Sequence, residues 1–268
     1  MSHQPNCSLA SVSEIFHQEI AARSGEVLNM VQDKTRFFAR SVLPNVTEVL
    51  PNDRLQGGVA LRATESEVWL SPYVFRLVCS NGAIMAHMLQ TQHLSERDWQ
   101  DPWSAENSLR EAIQTCCEPE VFATSAQQFR AATSSPAGSA FSLLSWLHQS
   151  GLSDHGLSTA ILDQFFREED RTRFGLANAV TAVARETGDP EVRWRLEELG
   201  GAIAAGHASP SRPRGLRLNP QLPRSLAQAS KLRDRSSVAS FGTNASRDSS
   251  EDESDEFSGV RHLVSLFG

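Results

Sequence analysis

Tyr73-Val74-Phe75-Arg76-Leu77-Val78-Cys79-Ser80-Asn81-Gly82 decides how the first half of the chain is read. Tyr73, Phe75, Leu77 and Cys79 fall on one side of an extended segment. Val74, Arg76, Val78 and Ser80 fall on the other, the two-residue alternation of a strand. Asn81 and Gly82 both tolerate positive φ, which a two-residue type I′ hairpin turn requires, so the pattern predicts that Ala83 to Leu89 returns as a paired strand. An antiparallel sheet follows from that hairpin.

Upstream, Pro44, Pro51, Gly57-Gly58 and Pro72 punctuate short extended segments, with further strands expected at Val59–Ala63 and Val68–Leu70. Before them, Leu9, Val12, Ile15, Phe16, Ile20, Val27 and Leu28 recur at helical spacing and predict a helix from Ser8 to Met30. From Asp101 onward the signals are helical: Trp103–Thr115, Val121–Ala132, Phe141–Gln149, Leu157–Glu169 and Arg173–Thr187. Ser134 to Gly138 breaks the series. A last helix has Asp189 as N-cap and Pro190 in its first turn, and Gly200-Gly201 stand near its end. Strands segregated from helices predict an α+β fold, a small antiparallel sheet packed against a helical second half.

Composition divides the chain near Ala205. Residues 1–205 read as the folded α+β domain. Residues 206–268 lose apolar periodicity and read as a disordered tail. Within 210–235, Arg212, Arg214, Arg217, Arg224, Lys231, Arg233 and Arg235 face only one acid, Asp234, and prolines interrupt them. Such an arm can lay cations along a phosphate backbone, or it can be a solvated linker. Six acids crowd 248–256, where they could compete with nucleic acid for the arm. The segment 257–267 ends the chain with Phe257, Val260, Leu263, Val264, Leu266 and Phe267. An apolar tip on a charged tether suits docking into a partner's groove, here a replication or recombination protein. Its layout is similar to the acidic, hydrophobic-tipped tails of single-stranded-DNA-binding proteins. Packing back on its own domain is the alternative.

The formal charge of −7 argues against a protein whose whole surface coats nucleic acid, so contact with single- or double-stranded DNA is expected to be local. No apolar run approaches a bilayer span and no leader pattern opens the chain, which predicts a cytoplasmic protein without a membrane partner. Cys7, Cys79, Cys116 and Cys117 do not have the spacing of zinc ligands and are expected to be reduced. Phosphate-loop, dinucleotide, zinc-protease and nucleophile-elbow motifs are missing, so no catalytic residue, metal or cofactor is assigned. Cys79 with His87 or His93 as base is a weak enzyme reading; His87, His93, His148 and His155 form no compact ligand set. The pair of helices between Ser142 and Phe166 resembles a helix-turn-helix only superficially, because the second offers acids where base-reading donors are needed.

Four stretches carry a resemblance. Gly58 to Glu67, Tyr73 to Gly82, Thr172-Arg173-Phe174-Gly175-Leu176-Ala177-Asn178-Ala179-Val180-Thr181 and Arg195 to Gly201 together resemble the phage/plasmid-like family known as domain of unknown function 932, over residues 59–203. Relatives often carry Asn-Ser-Glu-x-Gly where this chain has Ala63-Thr64-Glu65-Ser66-Glu67. The resemblance implies a mobile-element protein and marks Arg76, Cys79, Asn81, Gly82, Asn178 and Thr181 as signature residues without an assigned role. Asn178 and Thr181, one helical turn apart, could face a ligand or satisfy backbone groups where their helix meets the sheet. The leading functional reading is a non-enzymatic accessory of nucleic-acid metabolism. The alternative is a protein-binding module or host-factor inhibitor that touches no DNA. Oligomeric state stays open.

Overall fold

The first helix, α1 (Leu9–Ala22), stops well short of the Met30 predicted for it. Ser8 caps its start by accepting from the Ser11 amide at 3.1 Å. At its end the Arg23, Ser24 and Gly25 amides close onto the carbonyls of Ile20 and Ala21, and Ser24 takes a left-handed φ of 56°. Gly25 then lies so near the Val42 carbonyl that an added Cβ would sit 2.6 Å from it. Val27 and Leu28 therefore belong to a strand, although their spacing continued the helical pattern. The computed structural model describes residues 8–95, 98 and 102–207.

Seven antiparallel strands follow: β1 (Glu26–Gln32), β2 (Arg36–Val42), β3 (Val46–Leu50), β4 (Asp53–Thr64), β5 (Glu67–Arg76), β6 (Asn81–Ile84) and β7 (Gln92–Ser95). They form a meander. β2 and β3 lie along the same side of β4, and β6 and β7 lie along the same side of β5. The breaks explain the prolines. Pro44 sits between β2 and β3. Pro72 lies in the middle of β5 at the gap between the residues that pair with β7 (67–70) and those that pair with β6 (73–76), where its missing N–H costs no ladder bond. The strands expected at 68–70 and 73–79 are thus one, and it ends at Arg76, not Cys79.

The hairpin exists, with a different turn. Leu77–Ser80 make the connection, with Ser80 at φ 56°, while Asn81 and Gly82 begin β6 opposite Arg76 and Phe75. Asn81-Gly82 is therefore not the turn dipeptide. Glycine at 82 is needed for space: an added Cβ would sit 1.7 Å from the Tyr73 hydroxyl oxygen. The returning strand ends at Ile84, short of the expected Leu89.

The helical half runs as predicted to within a few residues: α2 (Pro102–Cys116), α3 (Pro119–Ala132), α4 (Ala140–Gln149), α5 (His155–Arg167), α6 (Arg173–Glu186) and α7 (Pro190–Ala205). Asp189 caps α7 through the amides of Glu191 and Val192. Gly206, at φ 78°, closes it, with its own amide bonded to Ile203 and that of His207 to Ala202. Alternation along the strands sends Phe37, Ala39, Val59, Leu61, Ala63, Val68 and Leu70 against α1 and α2. Phe38, Ala60, Tyr73 and Ile84 meet Trp194 of α7. The fold is α+β. Among the described residues no helix is long and apolar enough to cross a membrane. The arm, acidic block and apolar tip lie outside the described residues.

Candidate functional site

The hairpin end of β5 and the buried face of α6 bring the signature residues together. Arg76, the last residue of β5, donates Nε to both oxygens of Asp53 at 2.9 and 2.8 Å and Nη2 to Oδ2 at 2.5 Å. Its guanidinium lies 4.9 Å from the Phe174 ring centre, and Nη1 donates to the Cys79 sulfur at 3.5 Å. Burial opposes the Arg76 charge, but the bonds from Asp53 and Cys79 outweigh it and hold the pKa above its usual value. The gripped carboxylate explains why an arginine can close a strand that packs on both faces.

Asn81 is buried, and its Nδ2 reaches the Asn178 carbonyl at 3.5 Å. Its Oδ1 has no protein donor. Thr181 donates Oγ1 to the carbonyls of Ala177 and Asn178 at 2.9 and 3.2 Å, and its methyl presses on α7 where Gly200 leaves room. Arg185, one turn further along α6, donates to the Cys79 carbonyl and ties the turn down. Of the two readings open for Thr181, satisfaction of backbone groups describes its contacts. Arg76, Asn81, Gly82, Asn178 and Thr181 line a cavity of about 10 Å³ with Leu55, Val74 and Phe129, room for a single water. The arrangement works as a latch, clamping the β5–β6 turn onto α6.

The other candidates are scattered. His93 lies on β7 opposite Trp69, its ring stacked on that indole at 3.6 Å. Cys79 follows the opposite end of β5, roughly 25 Å along the strand at 3.3 Å per residue. Those two do not form a nucleophile and base. His87 bonds Gln128 at 3.1 Å and leans on His207, with ring centres 4.4 Å apart; burial pushes its pKa down to about 4. His148 and His155 are exposed on α4 and α5. Cys79, Cys116 and Cys117 are free thiols. Burial raises the Cys117 thiol to about 11 and Cys116 further still, which keeps both protonated and unreactive.

A second polar cluster went unread in the sequence. Arg40 of β2 and Glu197 of α7 are 1% and 2% exposed at their side chains and bond through Nε and Oε2 at 2.5 Å. Arg193 holds the other carboxylate oxygen at 2.9 Å, and Arg40 lies 5.9 Å from the Trp194 ring. Burial and the Glu197 charge keep the neighbouring Tyr73 phenol protonated far above its usual range. Toward the start of α7, Arg62 and Arg195 both bind Glu191, and Glu198 accepts from the Trp194 indole at 2.8 Å. A lone arginine inside Phe37–Val42 was the available signal, yet its acid lies 157 residues away.

The chain matches no family model, no curated protein and no solved structure. Arg212, Arg214, Arg217, Arg224, Lys231, Arg233 and Arg235 lie outside the described residues, as do Phe257, Leu263, Val264, Leu266 and Phe267.

Proposed function

We propose that this protein is a non-enzymatic accessory of nucleic-acid metabolism on a phage- or plasmid-like element. It contacts DNA through the cations of residues 212–235 and a replication or recombination protein through the apolar tip at 257–267. The observation that carries this reading is the charge of the arm: seven cations against one acid, starting within six residues of the Gly206 cap of α7. The uptake of the signature residues into the latch supports it. Arg76 is held by Asp53, and Thr181 by its own helix, so those groups act on the fold. The arm's guanidinium groups suit phosphate oxygens whatever the sequence, and its affinity would follow the release of counterions.

The experiment is fluorescence anisotropy with labelled single- and double-stranded oligonucleotides on the full chain and on a full-length variant with all seven arm cations changed to Gln. The expected result is binding by the parent that falls about a thousand-fold between 50 and 200 mM salt, and its loss in the variant. Absence of binding by the parent at low salt overturns the reading and leaves the protein-binding alternative, for which the tip is the place to look.

A further inference from the structure

The edges of the sheet are guarded unequally. Arg130 of α3 covers β3 by donating Nε and Nη2 to the Glu48 carbonyl at 3.1 and 2.9 Å. α7 closes β6 so tightly that a Cβ on Gly201 would sit 2.1 Å from the Ile84 carbonyl oxygen. The Ser95 amide of β7 is taken by Asp98 at 2.7 Å. β1 has no such cover: it pairs with β2 alone, and among the described residues nothing bonds its outer edge. It contains no Lys and no Pro, the residues that usually blunt an edge, and its one charge is Glu26 at its start. Leu28, Met30 and Val31 are 37%, 43% and 37% exposed. The Asn29 side-chain oxygen is buried without a donor.

We propose that this edge takes a second copy of the chain, β1 pairing antiparallel with β1 about a two-fold axis at Met30. The strand is self-complementary in that arrangement. That centre sets Glu26 of one copy against Lys34 of the other, twice over, and Met30 against Met30. Parallel pairing would instead put Glu26 beside Glu26. The bulge at Leu28 limits regular pairing to Asn29–Val31, with Glu26 reaching Lys34 by side-chain length. An edge-to-edge interface of this length is at the small end of specific contacts, so the dimer forms in the micromolar range.

Sedimentation velocity on the full chain across low to high micromolar concentration tests this. The expected result is a concentration-dependent dimer. Met30→Lys makes it monomeric, Glu26→Lys weakens it about tenfold, and Glu26→Lys with Lys34→Glu restores it. The double charge swap involves only exposed residues, so it distinguishes a lost interface from a lost fold. In the paired arrangement Met30→Cys oxidises to a linked dimer, whereas Gln32→Cys, roughly 14 Å from its counterpart, behaves like the parent. A monomer throughout the range overturns the proposal. A dimer indifferent to Met30→Lys and to the charge swap overturns it equally.

Discussion

The two faces of the sheet are packed by opposite chemistry. Against α1 and α2 the contact is apolar: Val12, Ile15, Phe16, Ile20, Leu109 and Ile113 meet Phe37, Val59, Leu61, Val68 and Leu70. Against α7 the sheet presents Arg40, Tyr73 and Arg62, and the helix answers with Glu197, Trp194 and Glu191. Apolar burial is non-directional, and other well-filled arrangements would serve the first face nearly as well. The second face is directional. A buried pair adds little net stability over an apolar replacement, but any placement of α7 that separates Arg40 from Glu197 leaves a bare charge in the interior. The first face therefore supplies cohesion and the second fixes where α7 sits, and with it the Gly206 end from which the tail departs.

The largest expected effect comes from splitting that pair. Glu197→Gln strands the Arg40 charge and should lower stability by about 3–5 kcal/mol, whereas Arg40→Met with Glu197→Leu should recover most of the loss. Urea denaturation of both variants and of Leu61→Ala, expected to cost about 2–5 kcal/mol on the apolar face with no partner able to rescue it, measures the contrast. Equal losses in the single and double charge variants would remove the directional role assigned to the α7 face.

A pH dependence specific to the α7 face comes next. The Glu198 carboxyl is covered by its neighbours even though part of the residue reaches solvent, and burial raises its pKa from 4.5 to about 7 against the opposing Trp194 bond. Its protonated form is favoured in the fold. That contribution is fully present below pH 4.5 and is lost as pH rises through 7, at most about 3 kcal/mol. Unfolding midpoints at pH 5 and pH 8 should therefore differ more in the parent than in Glu198→Gln. The same fall in both proteins would place the titration elsewhere.

The smallest effect belongs to the junction of the α7 face with the latch. Gly82→Ala drives a methyl into the Tyr73 ring and should cost about 1–3 kcal/mol, read from the thermal midpoint. A neutral result would mean that β6 can shift away from β5 at no cost, and that the latch is looser than its contacts suggest.

Much of this architecture is legible in local pattern, and the exceptions share a cause. The six helices after Asp101 among the described residues are carried by apolar spacing and by caps such as Asp189, which are properties of adjacent residues. Val27 and Leu28 misled because their periodicity suits a helix, while the stop is imposed by Gly25 against the carbonyl of Val42, a contact across the sheet. Asn81-Gly82 misled for a related reason. The dipeptide suits a turn, but its glycine answers to the Tyr73 ring, a neighbour only once β5 and β6 are paired.

The sequence alone determined the segregation of strands from helices, the break near Ala205 and the opposite charges of arm and acidic block, because periodicity and composition are written residue by residue. Only the tertiary structure decided that Arg76 belongs to Asp53, that Arg40 belongs to Glu197 and that β1, among the described residues, pairs on one side alone. Those are matters of partners far apart in the chain, and a charged or hydrogen-bonding group does not announce in its own neighbourhood which distant group will satisfy it.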